Sequence, residues 1–121
     1  MKSFLHKTCS KYLCFLIFIL AYNISIAQVR VVQFNAGWNA MNNAAWCHSE
    51  KKGLSDCEVS YVDIGIDKEA QSEFKVVVVP TIIIFNEGEE VKRYQADLSF
   101  KLVTTREELQ EFIDELIMSD F

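Results

Sequence analysis

A single proline, Pro80, interrupts the 121 residues, and no acidic residue occurs before Glu50. There is no internal repeat and no low-complexity stretch, which excludes solenoid and collagen-like architectures. No apolar run reaches the roughly 20 residues that a membrane-spanning helix needs. The run Leu13 to Ala21 is broken soon after by Tyr22, Asn23 and Ser25. Basic patches interleaved with aromatic residues are missing, and with them the usual footprint of a nucleic-acid binder. Cysteine is limited to Cys9, Cys14, Cys47 and Cys57. The spacing of Cys47, His48, Asp56 and Cys57 matches no recognised zinc pattern, so no metal is expected.

The basic residues that do occur early have a pattern. Lys2, Lys7 and Lys11 precede the apolar run, and Ser25-Ile26-Ala27 follows it with small residues at the positions a signal peptidase reads. Residues 1–27 are therefore expected to be a signal peptide, and 28–121 an exported domain in the periplasm, cell envelope or extracellular space. That domain has nine Lys and Arg against 17 Asp and Glu, a net charge of −8. Such a balance repels nucleic acid and anionic membranes, and no stable membrane insertion is expected after cleavage.

Taken in order, Val29 to Phe34 is a short apolar run suited to a strand buried on both faces. Asn39 to Lys52 reads as a helix, with Asn39 as N-cap and Met41, Ala44, Ala45 and His48 at three-to-four spacing. Val59 to Ile66 is β-branched and aromatic, and Lys68 to Phe74 reads as a short helix. Val76 to Phe85 would be one long strand were it not for Pro80, which cannot donate to a ladder; the strand resumes at Thr81. Glu87-Gly88-Glu89 is a hairpin turn, and Val91 to about Leu102 returns as an edge strand marked by Lys92 and Arg93. Thr104 and Thr105, with Glu107 and Glu108 three residues on, open a final helix whose stripe is Leu109, Phe112, Ile113, Leu116 and Ile117. The element order is βαβαββα, an α/β fold with a mixed sheet of about four strands flanked by helices.

The stretch Phe34-Asn35-Ala36-Gly37-Trp38-Asn39-Ala40-Met41-Asn42-Asn43, with Val79-Pro80-Thr81 about forty residues later, resembles the active-site segment and cis-proline loop of thioredoxins. The resemblance spans about residues 29–118 and implies the thioredoxin-like fold. It puts Ala36 and Trp38 where the family has alanine and tryptophan, Asn39 and Asn42 where it has the two cysteines, and Gln33 where it commonly has a buried acid. A carboxamide offers no thiolate and forms no disulfide. Thioredoxin-type oxidoreductase activity is therefore not expected, and neither is a cofactor. What the resemblance leaves is a surface of Trp38, Asn39, Asn42, Val79 and Pro80 that would grip an extended polypeptide by strand-like pairing.

Cys47 and Cys57 are the cysteines left after cleavage. A disulfide between them is geometrically reasonable, and closing a loop of that size stabilises by roughly 2.5–3 kcal/mol in the chain-entropy model. The alternative is an atypical thiol–disulfide oxidoreductase or redox sensor that uses this pair. Against it stand the distance of Cys47 from any helix N-terminus and the nearby Glu50, Asp56 and Glu58, which raise a thiol pKa. The leading expectation is a non-catalytic polypeptide-binding or folding-assistance module.

Overall fold

The computed structural model describes residues 28–48 and 53–119. The leader and its cleavage after Ala27 lie outside the described residues. Strands β1 (Val29–Asn35), β2 (Glu58–Asp63), β3 (Thr81–Asn86) and β4 (Glu89–Gln95) form one mixed sheet in the order β2-β1-β3-β4. The β1–β2 pair is parallel, whereas β1–β3 and β3–β4 are antiparallel. Helices α1 (Lys68–Glu73) and α2 (Arg106–Ser119) complete the expected α/β architecture.

The central strand β1 is buried on both faces apart from the exposed Arg30. Val29 and Val31 pack with Ile82, Ile84, Leu109 and Ile113 on the side covered by α2. Val32 and Phe34 pack with Ile83, Ala70 and Val76 on the side covered by α1. The Phe34, Phe74 and Phe85 rings fill that second layer, with centroids 5.2 and 5.6 Å apart in successive pairs. Helix α2 buries the expected stripe: Leu109 and Ile113 are fully covered, and Phe112, Leu116 and Ile117 pack at its margin. The Thr105 hydroxyl accepts the Glu108 N–H at 3.2 Å and so caps this helix.

Both ends of the β3 region are fixed locally. The β3–β4 hairpin turns through Glu87 (φ 53°) and Gly88 (φ 87°), a pair of left-handed residues matching the sheet twist. A register shift opposite Ile84 and Phe85 bulges the outer strand β4. Helix α1 ends with Lys75 at φ 51°; the Lys75 N–H donates to the Ser72 carbonyl and the Val76 N–H to the Gln71 carbonyl. Arg93 of β4 reaches over to donate to the Phe74 and Lys75 carbonyls at 2.7 and 3.0 Å, while Glu90 holds its guanidinium. The sheet edge therefore braces the helix end from which the chain enters Pro80.

Three boundaries differ from the sequence expectation. Residues 39–48 are not an α-helix but two 3₁₀ segments, Gly37–Asn42 and Ala45–His48, with residues 49–52 outside the description. Ala36 takes the N-cap position, and Asn39 lies inside the first segment with non-helical φ −112°, ψ 18°. Met41, expected on an apolar stripe, is 98% exposed. Strand β2 stops at Asp63, because the Asp63 carboxylate accepts the Gly65 N–H at 2.8 Å and turns the chain. Strand β4 stops at Gln95, where a loop organised by Asp97 takes over.

Truncating a residue in the shared core separates packing from exposure. Ile83→Ala should destabilise the fold by about 2–5 kcal/mol in urea unfolding, because the side chain is enclosed on the α1 face. Ile66→Ala, on an exposed turn residue, should change stability by less than about 0.5 kcal/mol.

Candidate functional site

At the C-terminal end of β1 the strand runs through Gln33 and Asn35, both fully buried polar residues. Burying a carboxamide is unfavourable unless its donors and acceptors are met. Gln33 Oε1 accepts the Ala44 N–H at 2.8 Å. Asn35 Nδ2 donates to the Asn39 carbonyl at 3.1 Å and to Oδ1 of Asn43. Asn43 in turn bonds the Tyr61 hydroxyl, whose pKa is raised, first by partial burial and then by Asp63.

Asn39 is the hub. Its Nδ2 donates to Asn35 Oδ1 at 3.1 Å, to the Phe100 carbonyl at 3.2 Å and to the Val79 carbonyl at 3.3 Å. Its Oδ1 accepts from Asn42 Nδ2 at 2.7 Å. An amide has two hydrogens, so at least one of the three donated bonds is shared between acceptors. The kink at Asn39 in the 3₁₀ segment turns this side chain inward, where it is only 4% exposed. One side chain thus ties β1, the segment before Pro80 and the loop after β4.

That loop is built on Asp97. Its Oδ1 accepts the Ser99 hydroxyl at 2.6 Å and the Ser99 and Lys101 N–H groups at 2.8 and 3.2 Å. These bonds, the Ser99 hydroxyl foremost, hold the Asp97 carboxyl below the usual carboxylate range. Phe100 adopts φ 60° and sets its ring edge-on to Trp38, centroids 5.2 Å apart. Trp38 is 70% exposed and forms a rim with Phe100. Beside the rim lies a cavity of about 180 Å³, lined in part by Trp38, Ile64, Lys68, Val77, Val79 and Phe100.

The five residues expected to form a contact surface therefore split. Trp38 is exposed and Asn42 half-buried, while Asn39, Val79 and Pro80 are buried. Asn39 is not a helix cap, and its amide is bonded inside the protein. The Val79–Pro80 peptide is cis, and the Pro80 carbonyl accepts the Ala96 N–H at 3.1 Å. Val77, with 78% exposure, replaces Val79 as the apolar side chain facing solvent in this segment.

Sequence reasoning missed Asn35, Asn43, Asp97 and Phe100. The first two carried a signal, four asparagines between positions 35 and 43 of a segment leaving a buried strand. Asp97-Leu98-Ser99 also fits an Asx turn, which would have ended the strand early. The meeting of Phe100 with Trp38 and Asn39 had no local signal.

Cys57 is half-buried just before β2 and makes no disulfide among the described residues. Burial, and then the Asp56 carboxylate, push its pKa up to about 11, which opposes thiolate formation. The Cys47 side chain lies outside the described residues, and so does its pairing with Cys57. Among the described residues no group of three or more His, Cys, Asp or Glu is placed to hold a metal. None of their helices is long and apolar enough to cross a membrane.

No protein-family model and no curated protein sequence matches the chain. Its fold does match solved structures. A thioredoxin mutant from Halobacterium salinarum NRC-1 aligns at 20% identity over 73% of this chain and 74% of that one, with a TM-score of 0.59. Fasciola hepatica thioredoxin aligns at 25% identity over 81% and 89%, with a TM-score of 0.57. Malassezia sympodialis thioredoxin gives 17% identity, coverage of 74% and 76%, and a TM-score of 0.54. The fold is that of the thioredoxins, and the chain is thioredoxin-like.

Two measurements test the site's physics. Asn39→Ala should destabilise by about 1–3 kcal/mol in urea unfolding, because it strands the buried Val79 carbonyl and the Asn35 amide oxygen. Asn42→Ala, which removes one donor at a half-buried position, should do less. In a Cys47→Ser background, alkylation of Cys57 should stay slow at pH 8 and accelerate only as pH approaches about 11. The same shift has a stability sign. Its folded pKa lies above the unfolded value, so that contribution is intact below the unfolded pKa and is lost as pH rises through about 11.

Proposed function

We propose that this thioredoxin-like chain is an exported, non-catalytic module that holds extended polypeptide, as a binding or folding-assistance domain. The observation that carries the reading is the fate of Asn39. In the resemblance to thioredoxins it stands at a cysteine position, and its amide is committed to the Val79 and Phe100 carbonyls and to Asn35. Asn42, at the other cysteine position, bonds Asn39 where a disulfide would lie. Neither group can carry thiol exchange, which requires a thiolate. The groove beside them is nevertheless open, with Trp38 and Val77 exposed on its walls. Large exposed aromatic and aliphatic side chains around a concavity are what polypeptide capture uses.

The leader in residues 1–27 supports export, because its basic start, short apolar run and small residues before Gln28 are those of a cleaved signal. In an oxidising compartment Cys47 and Cys57 would serve as a structural disulfide rather than an exchange pair. The raised Cys57 pKa supports that preference, since exchange catalysts depend on depressed thiol pKa values.

The purified full chain should leave the reduction of insulin by dithiothreitol at its uncatalysed rate. It should bind a permanently unfolded probe, reduced and carboxymethylated lactalbumin. The double variant Trp38→Glu, Val77→Glu should weaken that binding by roughly tenfold or more. Its circular dichroism should not change, because both side chains are exposed. Binding that survives the double variant, or catalysed insulin reduction, would overturn the proposal.

A further inference from the structure

The polar groups of the groove are unequal in sign. Among the described residues no hydrogen bond uses the N–H of Val77, Val78 or Val79. Two of the three carbonyls of the same segment are engaged: Val78 accepts the Thr81 hydroxyl at 2.7 Å, and Val79 accepts from Asn39. The cavity's charged lining residue is Lys68, at the start of α1. Its ammonium takes part in none of the ion pairs or hydrogen bonds of the described residues. Of the carboxylates near it in sequence, Asp63 accepts the Gly65 N–H and Asp67 the Ala70 N–H at 3.0 Å, while the adjacent Glu69 makes no ion pair with it. Gln71, also in the lining, spends its amide hydrogen on the Val76 carbonyl over a long 3.5 Å. The concavity therefore offers backbone donors and one cation, with no carboxylate in its lining.

We infer that the groove selects an acidic polypeptide segment: an apolar side chain enters the cavity beside Trp38, and a neighbouring Asp or Glu carboxylate meets Lys68 and the free N–H groups of the Val77–Val79 segment. The inference rests on the polypeptide-binding reading and deepens it from shape to charge. The rest of the chain is acidic and repels such a ligand at long range. The preference is thus a local one, carried by Lys68 and the backbone donors. An isosteric amide keeps the shape and loses the charge, so Glu and Gln versions of one peptide separate the two. A partly exposed ion pair is worth up to about 1 kcal/mol, which sets the expected discrimination at about threefold to fivefold.

The experiment uses the full chain and three fluorescein-labelled peptides that differ at one position, Ser-Leu-Glu-Val-Ser, Ser-Leu-Gln-Val-Ser and Ser-Leu-Lys-Val-Ser, with fluorescence polarisation as the readout. The Glu peptide should bind about threefold tighter than the Gln peptide at low ionic strength, and the gap should close in high salt. Lys68→Glu, an exposed substitution, should reverse the order in favour of the Lys peptide. If all three bind wild type equally and Lys68→Glu changes nothing, the acidic preference is overturned and polypeptide capture stands. If none of the three binds, both are overturned. Should Lys68→Glu fail to fold, the salt dependence of the Glu–Gln difference in the wild type decides alone.

Discussion

The Asn39 carboxamide is the joint on which this end of the molecule depends. Its Nδ2 alone bonds to the strand β1, to the segment before Pro80 and to the Asp97 loop, beside the Ala96 N–H bond to the Pro80 carbonyl. Buried polar networks stabilise when every member is met and destabilise when one is not. This one is met: Asn35, Asn39, Asn42 and Asn43 each have partners. Among the described residues the buried side-chain oxygen without a partner is Asn86 Oδ1, at the opposite end of the sheet. The network also explains a 3₁₀ segment where an α-helix was expected. A regular helix at 39–52 would point the Asn39 side chain along the helix surface, whereas the kink sends it inward toward Val79 and Phe100.

That trade marks where local sequence stops being informative. β1, the β3–β4 hairpin and α2 were legible because burial imposes a period, and the period is written in Val31, Phe34, Ile82 to Ile84, Leu109 and Ile113. Residues 39–48 were misread because asparagine at a chain reversal looks like a cap, while its true partners lie 40 and 61 residues away. Strand β4 was overextended because the Asp97 turn contains no glycine or proline to announce it. Of the candidate site, Trp38 and the proline segment were legible through resemblance. Their division into exposed Trp38 and Val77 above buried Asn39, Val79 and Pro80 was not, because it depends on which way the kink turns.

The groove owes its shape to supports on both flanks. On one side Arg93 bridges from β4 to the end of α1 and fixes the start of the Val76–Val79 segment. On the other, Asp97 closes its own loop and sets Phe100 against Trp38. Each support is a charged group spent on backbone, leaving the uncommitted charge in the lining to Lys68. Rigid walls lower the ordering cost of binding, so a shallow cavity so braced can discriminate on a single charge.

A joint made of carboxamides has no titration curve and no reduction potential. The cysteine pair that the resemblance to thioredoxins would put at this place changes state with the acidity and oxidant level of its surroundings. Asn39 and Asn42 present the same hydrogen bonds to reductant and oxidant alike, and across the range of pH in which the fold persists. In its supports Asp97 and Glu90 do titrate, and the Ser99 hydroxyl and Arg93 respectively hold their carboxyls below the usual range. The carboxamide joint itself is thus a fixed fitting rather than a switch.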